Sequence, residues 1–327
     1  VPELQLLKGP LSADLLAEVA ALYGVTDGKY GSVEHCDLLF NQNPFGPALH
    51  AFARQGDQAV GHYCLIPYDM RVDAGLIRAA KGEALHVAED HRRSQCEGMP
   101  TSSALLEGAQ RLAQQENIEI SYAVVGAPGV IRLFERCGYI HQPFIVRDLL
   151  VPRGKALPLP RLAAAKVAEW KGRLSKAGSL RLKEVSFEAV RSRLPLELVR
   201  PAGAWEPVLH PETLEWFGKA PSNRYFQFGQ GIIWVAQTHQ DWEVLCTFTK
   251  ECTAAERTLL AAEVRQEATR RGIDRIRVPF LQGIEHEMLG AFARLARREV
   301  DREISLVVRS QNPLGPASAR TFLWAHF

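Results

Sequence analysis

The sequence predicts two tandem α/β domains with mixed sheets, each a mostly antiparallel meander leading into a parallel strand pair with flanking helices. Three observations predict it. At 327 residues the chain has room for two domains of roughly 150 residues, each burying its own core. Apolar and polar residues alternate around Gly and Asp turns in the first half, the pattern of a meander. A helix–strand–helix–strand succession then occurs twice, at an offset of about 155 residues between corresponding elements, as a duplicated fold would give.

In chain order, residues 11–25 place Leu15, Leu16, Val19, Ala20 and Leu22 near one face of an opening helix. Segments 48–55, 57–66, 68–74 and 77–87 alternate around Gly56-Asp57 and Asp73-Ala74-Gly75 and read as meander strands. A helix over 101–116 is opened by Pro100-Thr101-Ser102-Ser103, with Leu105, Ala109, Leu112 and Ala113 as its buried stripe. Strand 118–126 follows, then a helix over 128–137 closed by Gly138, then a strand near 142–150. Strands 80–87 and 118–125 are joined through a helix, so they are expected as parallel neighbours with a right-handed crossover, the helix N-terminus at the mouth between them.

Residues 151–160, VPRGKALPLP, hold three prolines and a Gly and read as an extended linker. This divides the chain into domains 1–150 and 151–327. In the second half a helix over 253–271 opens with the capping box Thr253-x-x-Glu256 and closes at Gly272. Strand IDRIRVPF, a helix through Met288, Leu289, Phe292 and Leu295, and a strand over 302–309 complete the second succession.

Composition excludes several classes. Hydrophobic residues at 46% and charged residues at 23% match a folded globular protein rather than a disordered or low-complexity chain. Lys+Arg 39 against Asp+Glu 37 leaves a net charge of +2, so nucleic acid is not the expected partner. No apolar run reaches the roughly 20 residues of a membrane span, and VPELQLLKGP lacks the regions of a signal peptide, so no membrane span and a cytoplasmic location are expected. Cysteines 36, 64, 96, 137, 246 and 252 show no CxxC spacing and the histidines no HExxH, so the expected number of metal sites is none.

The chemistry concentrates in GEALHVAEDHRRSQCEGMPTSSALLEGAQRLA, a strand running through Arg92-Arg93 and a polar turn into a helix. Free N–H groups at that helix start, its dipole and two guanidinium groups suit a pyrophosphate. A solvated arginine pair before an ordinary Ser-capped helix is the competing explanation.

VAEDHRR followed by SSALLEGA resembles motif A of the GNAT-type N-acyltransferases, and IRLFERCGYI (131–140) is similar to that family's L-Y-x-x-x-G-[FY] helix end through Leu133, Gly138 and Tyr139. The resemblance covers roughly 48–150. It implies acetyl-CoA or another acyl-CoA as co-substrate, held where strands 80–87 and 118–125 splay apart. Its pyrophosphate would lie on the 92–103 segment, with Arg92, Arg93, Ser94, Gln95, Gly98, Ser102 and Ser103 as its contacts. The sequence departs from the family at Arg92–Pro100, where Gly is missing at two usual places and about four residues are added before the helix. Gln95 and Glu97 can crowd a pyrophosphate there, and Glu97 repel it. Ala127 and Phe134 replace the family's Asn and Tyr.

In the second half only Glu251-Cys252 separates DWEVLCTFTK from the helix capped by Thr253, so no second phosphate loop is expected. TLEWFGKAPSNRYFQF resembles the W-x4-P-x3-Y element of tandem GNAT proteins of polysaccharide or cell-envelope biosynthesis, through Trp216, Pro221 and Tyr225. LLFNQNPFG resembles their N-P-x-G turn at Asn43. The resemblance makes Asn43, Trp216 and Tyr225 substrate-side candidates. Aromatic core anchors and a β-turn are the competing explanation.

Acyl transfer needs a neutral amine, a donor for the thioester oxygen and a place for the thiolate. Backbone amides near Leu85 and Val87 can polarise the carbonyl. Glu83 or His86 can act as base, and alternation along a strand predicts that only one of them faces the cleft. Tyr122 is the candidate for protonating the departing thiolate. Cys96, beside two arginines and with His91 near in sequence, is the candidate for a covalent route. The leading reading is a tandem GNAT-like N-acyltransferase acting on an amino sugar or another small amine. Its alternatives are a non-catalytic pair binding a carbohydrate, peptide or protein, and transfer from aminoacyl-tRNA, which the near-neutral charge disfavours.

Overall fold

The computed structural model describes residues 1–24, 30–72, 75–152, 182–191, 206–207, 211–238, 241–248, 252–281, 288, 291–292, 295 and 298–310. The elements begin with β1 (Glu3–Lys8), α1 (Ala13–Tyr23), α2 (Val33–Phe40), β2 (Leu49–Gln55), β3 (Gln58–Val72) and β4 (Gly75–Val87). A 3-10 turn (Glu89–His91), β5 (Gln95–Cys96), β6 (Met99–Pro100), α3 (Thr101–Gln115), β7 (Ile120–Val125), α4 (Pro128–Arg136) and β8 (Ile140–Pro152) follow. Then come β9 (Lys183–Val185), α5 (Phe187–Arg191), β10 (Glu206–Pro207), α6 (Pro211–Gly218), β11 (Asn223–Phe228), β12 (Gly231–Thr238) and β13 (Asp241–Phe248). The last are α7 (Ala254–Arg270), β14 (Arg275–Leu281) and β15 (Arg298–Ser310).

The chain forms two compact units. The first draws on Val1–Phe144, Leu196–Pro221 and Glu303–Phe327, the second on Ile145–Pro195 and Ser222–Arg302. In the first unit the strands run β1-β2-β3-β4-β7-β15. All neighbours are antiparallel except β4 and β7, the parallel pair expected from the intervening helix. One face carries α3, whose Leu105, Leu106, Ala109, Leu112 and Ala113 are buried against Leu49, Ala51, Val60, Tyr63 and Leu65. Each such leucine contributes about 1.5–3 kcal/mol by leaving water. At Gly108 a Cβ would stand 2.8–2.9 Å from the Leu6 and Leu4 side chains, so glycine is what lets β1 approach the helix. The opposite face carries Tyr23 of α1, Phe40 of α2 and Trp216 and Phe217 of α6, packed on His62, His50 and Tyr68.

In the second unit the order is β8-β14-β13-β12-β11-β9, again antiparallel except for the β13·β14 pair. Its core joins Phe226, Ile233, Val235 and Trp242 to Leu259, Leu260 and Val264 of α7 and to Met288, Phe292 and Leu295.

Three features differ from the sequence expectation. Segments 57–66 and 68–74 merge into one strand, β3 over Gln58–Val72, with 73–74 outside the described residues, because Pro67 falls just beyond Leu65, where pairing with β2 ends, and so its missing N–H costs no ladder bond there. β1, α2 and the β5–β6 hairpin are additional. The division is also not contiguous, as a boundary at 150/151 requires. Residues 146–152 of β8 pair with β14 in the second unit, and Ser305–Ser310 of β15 pair with β7 in the first. Two apolar strands of the same pattern satisfy either sheet's register, so periodicity alone does not assign them. Of the expected linker 151–160, Val151 and Pro152 belong to β8 and the rest lies outside the described residues.

Candidate active site

β4 is bulged at its functional end. Cys64 lies opposite Glu83 and His62 opposite His86, so β4 advances three residues where β3 advances two. The extra residue is taken up at Ala84, which sits at φ 62°. An L-residue in this left-handed region costs about 1–2 kcal/mol. The Tyr23 hydroxyl donates to the Ala84 carbonyl, and a hydrogen bond of this kind, at about 1 kcal/mol net, offsets much of that cost. Residues directly opposite on paired strands share a face, so Glu83 and His86 both lie on the face of Cys64 and His62. The expectation that only one of them could do so is corrected by the bulge. Leu85 and Val87 point to the other face, packed against the α3 side.

The neighbouring strand leaves at the same place. β4 and β7 pair only at Ala79↔Ile120, Ala80↔Ser121 and Lys81↔Tyr122. From Gly82 onward β4 continues on β3 alone, while β7 continues on β15. The Ala88 N–H donates to Val60 O at 2.8 Å, so by alternation the N–H and C=O of Val87 point away from β3, toward the side β7 has left. The Val87 carbonyl there receives the Arg92 Nε–H at 3.4 Å.

The two candidate bases differ in state. Glu83 accepts from the Tyr30 hydroxyl and forms an ion pair with Lys81, whose side chain is only 6% exposed. His86 is half-buried against the Tyr23 ring, centroids 5.3 Å apart. Burial, and secondarily the Arg92 charge, push its pKa below 6.5, so at neutral pH it is an uncharged imidazole able to accept a proton.

The residues added before α3 form a hairpin. Gln95 pairs with Pro100 and Cys96 with Met99, turning at Glu97 (φ 51°) and Gly98 (φ 76°), the two positive φ values of a type I′ turn. Its tip is exposed rather than folded inward, and Glu97 reaches Arg111 at 2.8 Å, which draws its charge away from Arg92 and Arg93. Both arginines are exposed. Pro100 gives α3 no side-chain cap, so the first-turn amides at Ser102 and Ser103 lack the capping oxygen that Ser12 gives α1. In the second unit Thr253 and Glu256 close a full capping box on α7, leaving that helix start no comparable opening.

No family model matches the chain, and no curated protein does. Solved structures do. A tandem GNAT protein from the clavulanic acid biosynthesis pathway superposes with a TM-score of 0.60 at 17% identity, covering 95% of this chain and 100% of that one. The chain has the tandem GNAT fold. A GCN5-related N-acetyltransferase from Kribbella flavida (TM-score 0.54, 15% identity, 94% of this chain and 71% of that one) is similar. So is a probable N-acyltransferase from Enterococcus faecalis V583 (0.55, 13%, 94% and 72%).

Within the GNAT fold several expected site residues serve packing instead. Ser94 Oγ donates to His91 O and contacts Thr101 Oγ1, each at 2.7 Å, so it staples the hairpin rather than facing an anion. Ser103 hydrogen-bonds the Cys137 thiol. Cys96 is fully buried, and burial with Glu97 raises its pKa, the reverse of what the covalent route needs. Tyr122 is 2% exposed among Met70, Ala79, Leu306 and Val308, its phenol pushed up by burial, which makes it a core residue rather than a thiol donor. Phe134 packs edge-on against Tyr139 and Tyr63.

The substrate-side candidates are likewise occupied. Asn43 donates to Pro67 O at 2.8 Å and accepts from the Phe45 N–H at 3.1 Å, fixing its own turn. Trp216 is buried and donates to Leu38 O at 2.6 Å. Tyr225 is buried against Trp234 and Phe187 in the second unit.

Sequence reasoning missed Tyr23, Tyr30 and Lys81. Lys81, two residues before Glu83, was available as a same-face partner; the two tyrosines lie on α1 and just before α2, and only the tertiary fold brings them to β4. It also missed a buried group, His50, His62 and Cys64, whose ligand-type atoms lie within 4.8 Å of one another. His50 Nδ1 and His62 Nε2 face each other at 3.0 Å, and the Cys64 thiol donates to Glu83 O at 3.4 Å, so these atoms are engaged in hydrogen bonds.

Proposed function

We propose that the protein is an acyl-CoA-dependent N-acyltransferase with one donor site, in the first unit, acting on a small-molecule amine such as an amino sugar. The observation that carries this reading is the bulged end of β4, where a neutral His86 and an outward-pointing Val87 amide flank the gap left by β7. The donor supplies an acyl thioester. Arg92, Arg93 and the uncapped start of α3 at Ser102 and Ser103 are the groups suited to its pyrophosphate. Gln95 and Gly98 line the exposed hairpin beside them.

The chain's own residues then divide the work. His86 takes the proton that the amine loses as its nitrogen bonds to the carbonyl carbon. The amides near Leu85 and Val87 donate to the carbonyl oxygen as charge gathers on it, and the thiolate departs. Glu83, engaged by Lys81 and Tyr30, lines the same face as His86 and can accept a hydrogen bond from the neutral amine.

Acetyl-CoA in excess is expected to raise the melting temperature by mass action, and Arg92→Ala with Arg93→Ala to abolish the rise while the fold persists. No rise with acetyl-CoA or longer acyl-CoAs would leave a degenerate binding module as the better account. A thiol-release assay over amino sugars and amino acids identifies the acceptor.

A further inference from the structure

We propose that Tyr23, oriented by His62 and His50, is a positioning residue for the transfer reaction: it holds the β4 bulge at Ala84 and thereby sets Glu83, His86 and the amides that follow. The proposal rests on the acyltransferase reading for its catalytic meaning, though not for its geometry.

Proton counting gives the relay a single direction. The Tyr23 hydroxyl has one proton, and the acceptors it faces are carbonyls, Ala84 O foremost and His62 O at 3.2 Å. Its 3.1 Å contact with His62 Nδ1 therefore has the imidazole N–H donating to the phenol oxygen. His62 Nε2 is then an acceptor, so His50 Nδ1–H donates to it across 3.0 Å. The remaining nitrogen, His50 Nε2, must be a bare lone pair, and it is the one nitrogen of the relay that has no hydrogen-bond partner among the described residues. The chain of donors thus runs His50 to His62 to Tyr23 to Ala84.

The relay is stiff and stays neutral. Phe40 packs edge-on to His50 at 5.1 Å between centroids, and Phe52 lies 4.6 Å from His62. Burial lowers the His50 pKa to about 3 and holds His62 well below its ordinary value, the latter helped by His50. One proton arrangement therefore holds throughout the neutral range. Its far end acts on a backbone unit at φ 62°, a conformation that alanine leaves readily when nothing holds it.

The test compares wild type, Tyr23→Phe and Tyr23→Phe/Ala84→Gly, glycine being at ease at positive φ. Amide hydrogen exchange over Glu83–Val87 is expected to quicken about tenfold in Tyr23→Phe, the scale of one buried hydrogen bond, with β2 amides unchanged. In the same variant kcat is expected to fall about tenfold while KM for acetyl-CoA stays within about twofold, and the glycine double variant to recover both. Unchanged exchange at 83–87, a rise spread evenly over the unit, or no recovery with glycine would overturn the proposal. So would one tightly bound zinc per purified chain, since a cation between the imidazoles displaces their shared proton. If wild type binds no acyl-CoA, the acyltransferase reading fails, and the exchange result still decides whether Tyr23 holds the bulge.

Discussion

Glu83 and His86 lie on the same face of β4, three residues apart, because the bulge at Ala84 removes one step of the strand's alternation. They are not equivalent. Lys81 and Tyr30 engage the Glu83 carboxylate, whereas His86 is a neutral imidazole beside an aromatic ring.

The difference sets the pH profile. Burial first and Arg92 second disfavour the His86 imidazolium, so its proton leaves below the ordinary 6.5 and the basic form prevails at pH 7. The enzyme-borne limb of kcat/KM should rise with pH through an inflection below 6.5. Arg92→Ala should move that inflection upward while the limb belonging to the acceptor amine stays in place. His86→Gln should lower kcat by about a hundredfold or more, the usual scale for losing a general base. An inflection above 6.5, or full activity in His86→Gln, would assign the base elsewhere.

Lys81 and Glu83 form a nearly buried ion pair, with side chains 6% and 16% exposed. Removing one partner leaves an uncompensated charge, at a cost of about 3–5 kcal/mol, whereas replacing both with apolar residues is far milder. Urea denaturation should therefore rank Lys81→Met well below wild type and Lys81→Met/Glu83→Leu above the single variant. Equal stability of the single variant and wild type would show that the pair is solvated.

The histidine pair predicts early acid sensitivity. His50, with a pKa near 3, and His62, also held low, are neutral in the folded protein but gain protons in the unfolded chain at about 6.5. The unfolded state then binds more protons, so stability is complete above 6.5 and is lost as pH falls toward the folded values. Each histidine contributes a slope approaching about 1.4 kcal/mol per pH unit. Urea midpoints should drop between pH 6 and 5, before most carboxylates titrate, and the drop should shrink in His50→Phe.

Much of this arrangement was legible in the sequence, and the gaps have physical causes. Leu105, Ala109, Leu112 and Ala113 repeat at helical spacing and are buried as that spacing requires. The parallel pairing of β4 with β7 followed from the helix between them. The bulge at Ala84 was not legible, since no Gly marks it and its hydrogen-bond partner, Tyr23, lies 61 residues away. The hairpin at 95–100 is not legible, because Glu97 hides a turn that Asn or Gly would have announced. Asn43 and Trp216 matched short motifs, yet their polar atoms are consumed by Pro67, Phe45 and Leu38.

Gly82 is constrained by Tyr63. A Cβ at residue 82 would overlap the Tyr63 phenol oxygen and lie 2.9 Å from its ring carbon. Tyr63 is itself fully buried between β4 and α4. Gly82→Ala should cost about 1–3 kcal/mol or more through overpacking, and adding Tyr63→Phe should restore part of it by removing the oxygen. Denaturation midpoints of the two variants check this, and equal midpoints would place the clash elsewhere.

The last strand of the chain is structural for the first unit. Leu306, Val307 and Val308 are buried on β7. Arg309 Nη1 binds both Glu107 oxygens at 3.0 and 3.1 Å and the Cys137 carbonyl at 2.8 Å, tying α3 to the end of α4. Ending the chain at residue 297 would strip three apolar side chains from the core and expose the edge of β7 opposite the one that parts from β4. The truncated chain should therefore lose cooperative unfolding of the first unit and, with it, any acetyl-CoA-induced rise in melting temperature. Arg309→Ala alone should leave the fold and shift stability by about 1–3 kcal/mol. A truncated chain that kept the acetyl-CoA response would show that β7 needs no partner on that side.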